Sequence, residues 1–280
     1  MHFLIMSIIC SVLVSVLLKL ARPKNINLSL AITVNYAVCV LATLLFLAPS
    51  FNSDTVTRGL GLFIALGVLL PSIFLVMGKA VQLAGIVKAD TAQRLALIIP
   101  IISAFLLFGE TLTIAKLVAL ILVFIAMGCL LYKKGVDKTH THQHTALALI
   151  GVFVGYGVID VLLKQLSKMG GATSGNLIIS FGLALIFMLG FNFYKKYRWD
   201  KTSIIGGLVL GLLNFTNIFT YINAHKAMSD TPTLVFAGMN MGVITLGALT
   251  GLIIFKEKLT AINAIGVIIA LIAIGQLYLL

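Results

Sequence analysis

Apolar residues in this 280-residue chain do not recur at every third or fourth position. They come as ten nearly continuous runs separated by short polar breaks. The runs lie near 1–20, 27–48, 59–78, 84–108, 112–132, 145–167, 174–194, 203–225, 231–255 and 260–280. Each is close to the roughly 20 residues a helix needs to cross a hydrocarbon layer about 30 Å thick. Backbone N–H and C=O groups find no water in lipid, so each run must be a helix or part of a closed barrel, and unbroken runs lack a barrel strand's alternation. The pattern predicts an all-α fold, a polytopic transmembrane bundle of ten helices. The longest polar stretch, Lys133 to Thr145, leaves no room for an extramembrane domain. The first run has no basic leader and no small-residue cleavage site before Lys19, Arg22 and Pro23, so it reads as a retained helix and not a signal peptide.

Composition agrees: 60% of residues are hydrophobic and 10% charged, with mean hydropathy +1.14, against roughly a quarter charged in soluble domains. A formal charge of +12 would suggest nucleic acid in a soluble protein. Here the basic residues stand at the ends of the apolar runs, as topology signals and headgroup anchors, and no nucleic-acid partner is expected. Cys10, Cys39 and Cys129 each lie within a run without metal-like or disulfide-like spacing.

The chain repeats itself across the polar linker. Phe108, Glu110, Leu112, Thr113, Ile121, Ile125, Ala126, Gly128 and Leu130 match Phe255, Glu257, Leu259, Thr260, Ile268, Ile272, Ala273, Gly275 and Leu277 at a constant offset, 257 − 110 = 147. Lys79-Ala80 matches Lys226-Ala227 at that offset, and the Val-Leu-Leu-Lys ending in Lys19 matches the one ending in Lys164 at 164 − 19 = 145. The polar pairs carry the argument, because apolar stretches match easily by chance. The chain divides into a five-helix repeat over 1–132, a linker over 133–145 and a second five-helix repeat over 146–280. An odd number of spans per copy puts the second copy into the membrane upside down, the inverted-repeat arrangement of many secondary transporters.

With these residues the chain resembles the ten-helix EamA-like branch of the drug/metabolite transporter superfamily over essentially its whole length. Each half has Lys closing its first run, Lys-Ala closing its third, and Phe-Gly-Glu or Phe-Lys-Glu before a Leu-Thr start to its fifth. Pro100 fits the family pattern, and its counterpart Gly247 departs from it. The resemblance implies a secondary carrier in the cell (inner) membrane, without a cofactor. It leaves the small-molecule substrate open among amino acids, sugars, nucleotide sugars and drugs, and a homodimer is equally left open.

Loops after odd-numbered runs hold 15 Lys and Arg residues and even-numbered ones 5. The positive-inside rule then sets both termini outside.

Glu110 and Glu257 precede the last helix of each half, where a carboxylate accepts hydrogen bonds from free N–H groups opening the next helix. They read as structural. Asp90, Gln93 and Arg94 differ, because their counterparts are Ala237, Asn240 and Met241. With a span starting near Ala84, Arg94 lies about 15 Å in at about 1.5 Å per residue, near the midplane; with one starting near Thr91, it is an interfacial anchor. Asp90 and Arg94, and likewise Asp160 and Lys164, stand four apart and can pair on one helical face. Asn214, Asn217 and Tyr221 form a stripe on the eighth run, and Asn240 and Asn35 add amides on the ninth and second. These amides either bind solute or bond neighbouring helices. The candidate site is Arg94, Gln93, Asn240, Asn214, Asn217, Tyr221 and Asn35, with Asp160, Lys164 and Asp90 as coupling or paired charges. His140, His142 and His144 read as a solvated linker run, and no metal is expected. No catalytic motif is present, so an enzyme is not expected. The lining suggests export of an amino acid or related metabolite first, sugar uptake second and a passive channel last.

Overall fold

The computed structural model describes residues 1–21, 26–50, 53–84, 86–131, 143–169, 173–253 and 261–279. Among them there is no strand. The chain runs through α1 (His2–Ala21), α2 (Leu28–Leu47), α3 (Ser53–Ala84), α4 (Ile86–Leu95), α5 (Ile98–Leu106), α6 (Ile114–Leu131), α7 (Gln143–Lys168), α8 (Thr173–Lys195), α9 (Lys201–Ala227), α10 (Pro232–Ile253) and α11 (Ala261–Leu279). Among the described residues eight stretches are long and apolar enough to cross a membrane, and His2–Val14 and Ile114–Cys129 are shorter apolar helices. The protein is an all-helical bundle compatible with membrane insertion. Glu257 and the linker residues His140 and His142 lie outside the described residues, while His144 is exposed near the start of α7.

Two expectations change. The third run, read as 59–78, is a 32-residue helix that absorbs Pro71 and continues to Ala84. Lys79, Lys88 and Arg94, counted as loop charges, therefore sit on helices. The fourth run, read as one helix, is broken between α4 and α5. Pro100 has no N–H to give the Ala96 carbonyl, and its ring would clash there. The chain tightens instead: the Leu97 N–H bonds Arg94 O at 3.2 Å and the Ile99 N–H bonds Ala96 O at 3.0 Å, both three residues back.

α2 and α9 lie parallel in close contact, since small residues let their backbones meet. A Cβ on Gly207 would come within 2.6 Å of Ala31 O, and one on Gly211 within 2.9 Å of Asn35 O. At one end of this pair Asn27 caps α2 through Ser29 and Leu30, and its own N–H bonds Ser203 Oγ at 2.8 Å. α8 joins by a buried polar clamp in which Asn192 bonds both Ser29 and Thr33. α1 packs on α9 and α10, α3 on α7 and α8, and α6 on α11.

Large apolar side chains such as Leu45, Phe46, Ile186 and Phe193 face outward, as a hydrocarbon surrounding requires. Tyr194, Tyr197 and Trp199, interleaved with Lys195, Lys196 and Arg198 around the end of α8, form an aromatic and basic collar of interfacial type. There Asp200 caps α9, accepting from the Ser203 N–H at 2.8 Å, and Ser203's hydrogen bonds hold its carboxyl below the usual range.

Candidate functional site

Arg94 lies in the last turn of α4, just before the break, so its cation meets the negative end of a short helix. Its guanidinium pairs with Asp90 one turn back, N to O 3.4 Å, as the spacing predicted. The arginine is the more enclosed partner, its side chain 12% exposed against 40% for Asp90, and its Nε is buried without a hydrogen-bond partner. The apolar span containing it is Lys88–Leu106, which sets Arg94 six residues in (94 − 88 = 6). At about 1.5 Å per residue that is roughly 9 Å, shallower than the expected midplane. The break rests on α7 at Gly157, where a Cβ would lie 2.6 Å from Ile99 Cδ1 and 2.9 Å from Ala96 O. Only a glycine lets α7 come this close.

Asp160 stands three residues after Gly157 on α7. Asp160 and Lys164, expected to pair, form no ion pair among the described residues. Asp160 instead accepts a hydrogen bond from Tyr221 Oη of α9 at 3.3 Å. Tyr156, one turn before Asp160, packs where α7 meets α3 and α4, among Ala80, Ala89 and Ala92. Tyr36 of α2 is fully buried beside Phe181 of α8, ring centroids 6.3 Å apart, with its hydroxyl unpartnered. The contacts here join Arg94 to Asp90 on α4, and α7 to α9 through Asp160 and Tyr221.

Lys164 turns the other way. Buried at 1% exposure, its Nζ donates to the carbonyls of His225 (3.3 Å) and Ser229 (3.2 Å) at the end of α9. A cation there compensates the helix dipole. Lys164 and Lys168 also stand 5.9 and 5.3 Å from the Phe108 ring centroid. Beside Phe108, Glu110 does accept a helix-opening N–H, though not from the next helix: the donor is Thr233 of α10, at 2.9 Å. Its other oxygen meets Lys116 of α6 at 3.0 Å. One end of the bundle is therefore tied by three contacts among the α5–α6 turn, the end of α7 and the α9–α10 turn.

The expected amide stripe divides. Asn217 bonds α1, its Nδ2 donating to Ser7 O at 3.1 Å while Ser7 Oγ donates to Asn217 O at 3.3 Å. Asn240 donates to Phe236 O of its own helix at 3.2 Å. These two serve the scaffold. Asn35 and Asn214 are buried, and the Nδ2 of each lacks a partner. Gln93 sits half-buried on α4 beside Arg94.

Sequence reasoning missed Tyr36, Tyr156 and His225. His225 is fully buried, its ring centroid 4.7 Å from those of Tyr221 and Phe236, with neither nitrogen bonded. Tyr156 and His225 stand four residues from Asp160 and Tyr221 in turn, spacing that puts each beside its neighbour on a helix face.

No family model matches the chain. It is 48% identical over 286 residues to an uncharacterized protein of Haemophilus influenzae, an alignment covering 100% of this chain and 98% of that one. A crystal structure of a protein 15% identical in sequence superposes with TM-score 0.70 over 99% of this chain and 96% of its own, a likeness of fold.

Proposed function

This chain belongs to the family of that Haemophilus influenzae protein, and from that premise we propose that it is a secondary carrier exporting an amino acid or related small polar metabolite. In this reading it crosses the cell membrane ten times as two inverted five-helix repeats, in the manner of EamA-like drug/metabolite transporters.

Helix pairing supports the repeat. Taking α1, α2, α3, α4–α5 and α6 as counterparts of α7, α8, α9, α10 and α11, α3 packs on α7 and α8 where α9 packs on α1 and α2. Likewise α4 and α5 pack on α7 where α10 packs on α1. The largest remaining contacts, α2 with α8 and α6 with α11, join counterparts to each other, while α10 with α11 and α3 with α4 pack more extensively than their counterparts do. A two-fold relation accounts for the larger of these pairs.

The observation that carries the function is Arg94 at a helix break, paired with Asp90, where the break rests on α7 at Gly157, three residues before Asp160. Charge is costly in a membrane and normally faces a partner or a cavity, and carriers of inverted-repeat type build sites from interrupted helices. A guanidinium fork suits a solute carboxylate, and a carboxylate suits an ammonium. The test is counterflow of labelled amino acids in liposomes. Arg94→Lys keeps charge but loses the fork, and transport should fall while the protein still inserts. Asp160→Asn should remove pH dependence of net flux and leave exchange. Wild-type rates in both variants would place the site elsewhere. Flux that rises without saturation would mark a pore.

A further inference from the structure

The turn from α8 into α9 concentrates positive charge on a rigid frame. Lys195, Lys196, Arg198 and Lys201 are all exposed there, interleaved with exposed Tyr194, Tyr197 and Trp199. The acid among them, Asp200, caps α9 through the Ser203 N–H, and among the described residues no ion pair engages the four cations. Lys196 adopts a left-handed φ of 54°. Its N–H bonds Phe193 O at 3.1 Å and the Tyr197 N–H bonds Asn192 O at 3.3 Å, the paired bonds that close a helix C-terminus. The Asn192 side chain is held by Ser29 and Thr33 of α2, and Ser203 Oγ accepts the Asn27 N–H at 2.8 Å, so both flanks of the turn are fixed. Glycine is the ordinary residue at a left-handed position, and a lysine there keeps a charge at some cost in stability. α2 closes on a left-handed residue too, Ala48 at φ 42°, yet residues 46–54 around it hold no Lys or Arg. The closure itself therefore needs no cation. Leading up to the basic turn, Ile186, Leu189 and Phe193 are exposed at a spacing that shares one face of α8.

We infer that the α8–α9 turn binds an anionic phospholipid, its phosphodiester among Lys195, Lys196 and Arg198 and its acyl chains along Ile186, Leu189 and Phe193. Consecutive Cα atoms stand about 3.8 Å apart, so these three long side chains start within about 11 Å of one another, in reach of one phosphate. Each cation near an anionic leaflet adds affinity, an arginine fork suits phosphate oxygens, and Tyr and Trp rings sit at headgroup level. A zwitterionic headgroup carries an ammonium beside its phosphate, which the same cations repel. Bound here, the phosphate relieves the mutual repulsion of neighbouring cations and braces the corner shared by α2, α8 and α9. The site is independent of any solute that the bundle moves.

Trp199 is the chain's single tryptophan, so its fluorescence reports this turn alone. Full-length protein in neutral detergent is titrated with phosphatidylglycerol or phosphatidylcholine carrying brominated acyl chains, which quench tryptophan on contact. The anionic lipid should quench at a concentration at least about fivefold lower, the effect of one cation near a charged membrane surface. High salt should narrow that gap, and K195Q/K196Q/R198Q should abolish it. Lys196→Gly separates lipid from fold: it relieves the left-handed residue and removes one cation, so the melting temperature should rise while the preference falls. Equal quenching of wild-type protein by both lipids, or a gap that survives the triple substitution, overturns the site. If the triple variant does not fold, an undiminished preference in Lys196→Gly overturns it alone. Glycerol phosphate that relieves quenching as effectively as unbrominated phosphatidylglycerol would assign the turn to a soluble phosphate and overturn the lipid.

Discussion

α4–α5 and α10 occupy corresponding places at an offset of 147, yet they solve the same problem differently. α10 runs unbroken from Pro232 to Ile253. Its Met241 and Asn240 stand where the first half has Arg94 and Gln93, and Asn240 satisfies itself on Phe236 O at 3.2 Å. α4–α5 has Pro100 where α10 has Gly247, and it breaks one turn earlier, beside a charge. The lesson is that glycine at this position is compatible with a continuous helix and proline is not. The arginine sits on the span that is broken just after it. Asymmetry between two related spans marks the side on which chemistry has been placed.

Four changes break or sharpen this contrast. The largest effect belongs to Arg94→Met, which writes the residue of α10 into α4. A hydrogen bond to a charged group is worth about 1.5–3 kcal/mol, so loss of the guanidinium that the proposed site offers a carboxylate should lower liposome counterflow by up to roughly two orders of magnitude. Undiminished flux would mean that the asymmetry has no functional content.

Next comes Gly157→Ala, which pushes a methyl against the Ala96 carbonyl and Ile99. Overpacking of this kind costs about 1–3 kcal/mol. The melting temperature should fall, and the Tyr221–Asp160 contact should loosen with the retreat of α7. An unchanged melting temperature would show that the helices do not meet here.

Pro100→Leu restores an N–H to the ladder and lets α4 run into α5 as α10 does. The expected outcome is a melting temperature raised by a few degrees, equivalent to about 1 kcal/mol, with slower transport from a straightened site. Faster transport would refute a role for the break. The smallest effect is Asn240→Ala, within about 0.5 kcal/mol, because its amide serves only its own helix. A transport defect there would return Asn240 to the site.

The helices were legible because hydrocarbon demands unbroken apolar length, and the 147 offset was legible because polar residues rarely recur by chance. What the sequence concealed depends on partners in space. Hydropathy shows that Asp160 lies in an apolar stretch but not that its neighbour is Tyr221 at 3.3 Å on α9 instead of Lys164 on its own helix. The helical spacing of Asn214, Asn217 and Tyr221 does not reveal that α1 claims the second and α7 the third. The extent of α3 was missed because Arg58 and Lys79 read as the polar limits of an apolar run, while the helix continues past both, from Ser53 to Ala84. Tyr36 and Tyr156 hid among apolar neighbours, since a phenol disturbs a hydropathy profile little.

The Glu110 carboxylate has a consequence for the order in which the protein is made. The first turn of α10 receives its cap from a residue synthesised 123 positions earlier, through the Thr233 N–H. Translation from the N-terminus means that the acceptor is made before its donor leaves the ribosome. Each new α10 thus meets a docking point already made, and a C-terminal half made alone lacks it. Two halves expressed as separate chains should therefore assemble best when the N-terminal one is supplied ahead of its partner.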